Sequence, residues 1–237
     1  MFRHTAHVYD LLYEGSGKDY GQESADIHDL IEQRTPGARR LLDVACGTGG
    51  HLRHLRLWYD VTGTDIDPGM LAEARTHLPD VTLVEADMRT LALEQSFDAA
   101  VCLFSSVGYL RSPAELTAAV GAMARHLNAG GVLIVDGWVR PDAWISGGKT
   151  EVTMAASGEV QVVRMSRSRR EGDTTYLEMH HLIDTADGIE HVVDGHELTL
   201  FAPGHYEEAF RASGLAVDTV ESPMPGRDRY VGVKAPH

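Results

Sequence analysis

Cysteine is nearly absent from this sequence: there are two in 237 residues, Cys46 and Cys102, and both sit inside apolar, strand-like runs. A pair so placed fills a core rather than forming a disulfide framework, and nothing resembles a metal-ligand cluster, so no metal is expected. Long hydrophobic runs are missing too. None approaches the roughly 20 apolar residues that a bilayer span requires, and the opening MFRHTAHVYD contains no apolar signal segment. These absences point to a soluble protein of the reducing cytoplasm, without a membrane partner. Positive charge is also scarce, with 21 Lys and Arg against 35 Asp and Glu, a formal net charge of -14. Nucleic acid, whose phosphates need a basic face, is therefore not expected as a partner, and a small molecule is the better acceptor. No repeat or low-complexity segment is present. What remains, 43% hydrophobic over 237 residues, can bury a full core as one domain or as one domain with a large insertion.

Strand-like runs alternate with helix-like ones from Arg40 to about Trp138, with strands expected at 41–45, 61–66, 81–86, 97–104 and 131–136. Such alternation belongs to a parallel sheet with helices on both faces. Between them, Ser112 caps a helix over 113–127, and Asp67 caps another that begins at Pro68 and carries Met70, Leu71 and Ala74 as its apolar stripe. From 149 to 201 the pattern changes to period-two runs, 160–168, 174–183 and 190–200, separated by turns at 171–173 and 187–188. This reads as an inserted antiparallel sheet. A helix over 206–212 and strands at 215–220 and 229–233 then return to the first sheet, giving a mostly parallel, seven-stranded α/β core. The division expected is 1–145 for an N-terminal lid and core, 146–202 for the inserted sheet on the acceptor side, and 203–237 for the remainder of the core.

The segment LLDVACGTGG at 41–50 leads a strand into a loop where Gly47 and Gly49 let a ligand approach the backbone, and then into a helix over 50–57. Asp65 ends the second strand, where a carboxylate accepts from both hydroxyls of a ribose. Asp87 and Met88 follow the third, where a carboxylate takes the exocyclic amine of an adenine and a thioether packs on its ring. The third glycine of GxGxxG is missing, since His51 and Leu52 follow Gly50, which disfavours a pyrophosphate and hence a nicotinamide cofactor. S-adenosylmethionine carries none. The chain here resembles the class I S-adenosylmethionine-dependent methyltransferases, with their Rossmann-like core. Candidate cofactor contacts are Ala45, Gly47, Gly49, Asp65, Ile66, Met70, Asp87, Met88 and Phe104, with Tyr13 and Tyr20 from the N-terminal stretch.

That stretch, Tyr9 to Tyr20, is rich in aromatics and glycine; it reads either as a lid with tyrosines against a sulfonium or as a helix with tyrosines packed on the sheet. On the acceptor side four arginines cluster in one expected strand. Alternation puts Arg164, Ser166, Ser168 and Arg170 on one face, as a diphosphate clamp or as a solvated strand face. Arg227 and Arg229 follow in the last loop. Of the adjacent His180 and His181 at most one points inward, with His181 the candidate, beside Trp138. Tyr13 and Asp136 are the candidates for positioning the reacting group.

VYDLLYEGSGKDY, LLDVACGTG, FSSVGYL at 104–110, the run from Arg164 to Gly172 and GRDRYVGV at 226–233 resemble, across essentially the whole chain, the N,N-dimethyltransferases of dTDP-amino sugars of the desosamine and mycaminose type. The resemblance implies a methyltransferase core with a β-sheet insertion, a homodimer, a cofactor held by Gly47, Asp65 and Asp87, Tyr13 near the methyl-transfer site, and a dTDP-amino sugar as substrate. Two other readings stay open: a methyltransferase of another small amine or hydroxyl, and a non-catalytic cofactor-binding protein.

Overall fold

The computed structural model describes residues 5–145 and 149–236. The chain opens with two helices, α1 (Ala6–Gly15) and α2 (Tyr20–Arg34), the second capped by Asp19, whose carboxylate accepts from the Gln22 N–H at 2.8 Å. Alternating strands and helices follow: β1 (Arg40–Val44), α3 (Leu52–Leu55), β2 (Asp60–Asp65), α4 (Pro68–His77), β3 (Thr82–Glu85), β4 (Phe97–Cys102), α5 (Pro113–Arg125) and β5 (Leu127–Asp136). After β5 come four long strands, β6 (Thr150–Ser157), β7 (Val160–Glu171), β8 (Thr174–Thr185) and β9 (Gly188–Thr199), then α6 (Pro203–Ala212), β10 (Leu215–Glu221) and β11 (Asp228–Lys234). The expected insert begins at 146, and residues 146–148 lie outside the described residues.

The larger sheet has seven strands in the order β10-β11-β5-β4-β1-β2-β3. Its first five strands in the chain pair in parallel, and β11 runs antiparallel to both β5 and β10. The order reverses between β1 and β4, so a crevice opens outside their carboxyl ends, where ligands collect in sheets of this kind. Apolar residues fill both faces. Leu42, Val44, Val135 and Met123 with Phe210 form one cluster, and Leu41, Val101 and Ile134 pack under Ile27 and Ile31 of α2 in the other. Asp67 and Ser112 cap α4 and α5 as expected, each followed by proline in the first turn.

β6 to β9 form a second, antiparallel sheet. The sequence led to three of its strands; β6 is an addition, built from small and polar residues whose alternation is too weakly apolar to read. α3 spans four residues, shorter than the expected 50–57, and β4 stops at Cys102 because Phe104 and Ser105 take left-handed conformations, φ 55° and 65°. The N-terminal stretch is helical, and α1 lies on the second sheet, with Val8 and Leu12 against Val162, Ile183 and Val192.

Candidate active site

A cavity of about 880 Å³ runs from the carboxyl ends of β1, β2 and β3 to the inner face of the second sheet. At its first end the chain leaves β1 through Ala45 (φ 61°) and Gly47 (φ 58°). A side chain on Gly47 is disfavoured, since its φ is left-handed and a Cβ there would press on Met70 Cε at 3.3 Å, filling a cradle the backbone leaves open. Asp65 is buried, and its two oxygens accept from the N–H groups of Gly47 (2.8 Å) and Asp67 (2.9 Å). Burial raises its pKa, with those backbone bonds opposing. Each carboxylate oxygen has two lone pairs, so one on each remains for a pair of hydroxyls.

Asp87 and Met88 line the same end, as do Ile66 and Met70. Arg89, which the sequence reading overlooked, hydrogen-bonds both oxygens of Asp87 through Nε at 3.0 Å and reaches Glu115 with Nη1 at 3.1 Å. With the Arg89 N–H and Nη2 added, the acceptor positions of Asp87 are taken, and Arg89 holds its pKa down. An adenine amine at Asp87 therefore has to displace one of these bonds. The buried acid, the open backbone cradle and the thioethers fit S-adenosylmethionine.

Aromatic rings line the middle. Tyr13 meets Phe104 edge-on at 5.1 Å and Tyr9 at 4.6 Å, all three in the cavity wall. α1 presents these tyrosines while Asp10, one residue on from Tyr9, accepts from Thr48 Oγ1 at 2.6 Å and from Arg53 at 3.1 Å. The stretch is thus a helix tied to the glycine loop on one side and packed on the second sheet on the other, through Val8 and Leu12 rather than through its tyrosines, which line the cavity.

At the far end the strand register sets the lining. Ser168, Leu177 and His196 stand in one cross-strand row, and Ser166 and Met179 in the next, all against the cavity. Arg164 is buried beside them, its Cζ 4.9 Å from the Tyr13 ring and its Nη2 3.5 Å from Thr153 Oγ1, with no hydrogen-bond partner for Nε among the described residues. Arg227 faces it from the loop before β11. It stacks on Trp138 at 4.4 Å and donates to Ser105 Oγ at 3.0 Å, and burial lowers its pKa. Neither arginine is ion-paired to a carboxylate among the described residues. No group of His, Cys, Asp and Glu able to hold a metal occurs among those residues.

Five expected site residues lie elsewhere. Asp136 is buried in a fork with Arg229, Nε to Oδ1 at 2.7 Å, and its Oδ2 accepts from the Phe104 N–H at 3.1 Å, so it fixes the loop after β4 and does not face the cavity. Arg170 lies on the expected strand face but past the cavity rim, bonded to the carbonyls of Gly172 (2.7 Å) and Pro141 (2.8 Å). His181 points inward as the parity argument allows, yet it is buried outside the cavity, 3.8 Å from Asp194 and in the cross-strand row between Arg164 and Val192. Gly49 turns away, where a Cβ would strike Leu78 at 2.6 Å. Tyr20 sits behind the glycine loop in a small adjoining recess, edge-on to His51 at 5.0 Å. Besides Arg89, the sequence reading also missed Tyr109 and His196. The period-two rule applied to β9 marks His196 with Leu198; Tyr109 carried no signal beyond its place in FSSVGYL.

A methyltransferase-domain family model matches residues 41–131. The chain is 46% identical, over 97% of its length and 98% of the relative's, to dTDP-3-amino-3,4,6-trideoxy-alpha-D-glucopyranose N,N-dimethyltransferase of Streptomyces venezuelae. It is 42% identical, over 96% of its length and 90% of the relative's, to dTDP-3-amino-3,6-dideoxy-alpha-D-glucopyranose N,N-dimethyltransferase of Streptomyces fradiae. Among solved structures, S-adenosylmethionine-bound CalS10, an amino pentose methyltransferase from Micromonospora echinaspora involved in calicheamicin biosynthesis, superposes with a TM-score of 0.87 at 40% identity, covering 96% of this chain and 97% of that one.

Proposed function

This chain belongs to the S-adenosylmethionine-dependent sugar N,N-dimethyltransferases, and from that premise we propose that it dimethylates the amino group of a dTDP-linked 3-amino-3,6-dideoxy sugar in antibiotic biosynthesis. One observation carries the acceptor: Arg164, buried, and Arg227, half-buried against Trp138, neither with a carboxylate partner among the described residues, line one cavity that continues to the cofactor end. Holding two guanidinium groups partly or wholly out of water without a carboxylate is costly, and a diphosphate between them, with Ser166 and Ser168, supplies the missing charge. Trp138 offers its ring beside Arg227.

S-adenosylmethionine supplies an electrophilic methyl group on its sulfonium. Gly47 and Asp65 bind it through the backbone cradle and the ribose hydroxyls; Ala45, Ile66, Met70, Asp87, Met88 and Phe104 enclose the rest. Tyr13 orients the acceptor amine from α1. A sugar amine that titrates near the α-amino value of about 8 costs about 1 kcal/mol to present neutral. Fixing the two reactants in contact is worth roughly 7 to 11 kcal/mol, so orientation rather than a general base carries the rate. The core, 1–145 with 203–237, serves the donor and lends Trp138 and Arg227 to the acceptor, whose side is otherwise formed by the insert, 146–202.

The outer face of the second sheet supports a homodimer: Val152, Met154, Met165, Leu182, Ile189 and Val193 are 49% to 72% exposed there. A self-complementary apolar face lets two copies, each with a formal charge of -14, meet where repulsion is least. Two buried free thiols, Cys46 and Cys102, suit a cytoplasmic enzyme, and no helix among the described residues is long and apolar enough to cross a membrane.

The nucleotide end is tested by comparing the dTDP-linked amino sugar with the same sugar lacking the nucleotide. Transfer to the linked sugar, competitively inhibited by dTDP, is expected; equal transfer to the free amine removes the diphosphate assignment.

A further inference from the structure

Tyr109 and His196 meet in the cavity wall between its two ends. Tyr109 closes a 3-10 turn, Ser106–Tyr109, just after the left-handed residues Phe104 and Ser105, and His196 stands on the inner face of β9. Tyr109 Oη lies 2.9 Å from His196 Nδ1, with the rings edge-on at 5.9 Å. The ionisable neighbours that act on Tyr109 are Tyr13 and Asp65 on the cofactor side and Asp194 on the second sheet. The phenol therefore faces the cavity where the loop after β4 meets the second sheet.

The protonation states give the bond its direction. Burial raises the Tyr109 pKa, so the phenol keeps its proton, and burial lowers that of His196 to about 4, so its imidazole is neutral. A neutral imidazole nitrogen is a far better acceptor than a phenolic oxygen, so Tyr109 donates to Nδ1. Its oxygen then presents lone pairs alone to the cavity, and having donated, it accepts more strongly.

We propose that His196 is a positioning residue for methyl transfer: by holding the Tyr109 proton it makes the phenol oxygen an acceptor for one N–H of the sugar amine, which leaves the nitrogen lone pair directed at the donor. This rests on the amino-sugar reading above. In the transfer the nitrogen pair forms the N–C bond as the S–C bond breaks with its electrons remaining on sulfur, and the ammonium proton passes to water. A phenol free to rotate would instead donate to that same lone pair and block attack. The arrangement also serves the second transfer, because a monomethyl amine still has one N–H for Tyr109 and one lone pair. A dimethyl amine has no N–H and loses the hold.

The test compares His196→Leu, His196→Asn and Tyr109→Phe with the wild type, using S-adenosylmethionine and a dTDP-3-amino-3,6-dideoxyhexose. His196→Leu and Tyr109→Phe should lower kcat about tenfold, with monomethyl product accumulating, as for loss of one orienting hydrogen bond. KM for the nucleotide sugar and the affinity for dTDP should stay within about twofold, since the diphosphate contacts are untouched. His196→Asn, whose amide oxygen replaces Nδ1 as acceptor, should recover to within about threefold of wild type. Wild-type kcat in His196→Leu overturns the proposal, and so does an Asn variant that unfolds at the wild-type temperature yet is no better than Leu. A wild type that methylates no nucleotide sugar overturns the amino-sugar reading itself, and the inference with it.

Discussion

At the donor end of the cavity the polar contacts come from strand tips, Asp65 after β2 and Asp87 after β3, together with the backbone of the Gly47 loop. At the acceptor end they come from the face of a sheet, Arg164, Ser166 and Ser168 at alternate positions of β7. The first end is lined by the acids Asp65, Asp67 and Asp87, which the proposal gives to the cofactor, and the second by Arg164 and Arg227, which it gives to a diphosphate. The two ends meet on the core, where Trp138 and Arg227 reach the acceptor end and Arg227 bonds Ser105 beside Phe104. α1 spans them too, tied by Asp10 to the glycine loop and by Val8 and Leu12 to the second sheet.

If the ends are separable, substitutions should dissociate the two ligands. The largest effect is expected for Arg164→Ala, which should raise KM for the nucleotide sugar about a hundredfold, in the range for removing a buried charged partner. Cofactor affinity, measured by titration calorimetry, should be unchanged; an equal loss there would break the comparison. Asp65→Asn should do the reverse, weakening the cofactor about thirtyfold while dTDP binding stays constant. Asp10→Ala removes the tie between α1 and Thr48 and sharpens the contrast: a loss of about fivefold in cofactor affinity, and a smaller one for dTDP, is expected at this shared element. Effects on one ligand alone would assign α1 to a single end.

The smallest effect is a pH dependence beneath the donor end. Glu23 is partly buried, which alone would raise its pKa, but hydrogen bonds from His51 (2.8 Å) and Lys18 (2.6 Å) outweigh that and hold it at about 2. Because the folded value lies below the ordinary 4.5, its stabilisation is complete above that pH and is lost as pH falls toward 2. The difference in Tm between wild type and Glu23→Gln should shrink across that interval. A difference independent of pH would remove Glu23 as the titrating group.

The two ends also differed in how far they could be read from sequence. Strand tips follow directly from the alternation of strand and helix, so the loop at Gly47 and the acids at Asp65 and Asp87 were legible by spacing. So was the face of β7, because period two fixes which side chains share a side. What spacing cannot reveal is who stands opposite. Asp136 looked available because its partner, Arg229, is 93 residues away, brought alongside by the pairing of β5 with β11. His181 faces inward, but its burial beside Asp194, outside the cavity, is a tertiary fact. Tyr109 and His196, 87 residues apart, meet only once the insert folds against the core. Arg170 obeys the alternation and still misses the cavity, since it bonds the carbonyls of Gly172 and Pro141 at the rim.

The account stands most directly on the product. Purified protein should be incubated with S-adenosylmethionine and a dTDP-3-amino-3,6-dideoxyhexose, and the nucleotide sugar followed by mass spectrometry. A gain of two methyl groups, passing through one, is the predicted result. An unmodified sugar in the presence of demonstrably bound cofactor would contradict the assignment of the acceptor end and leave the donor end standing alone.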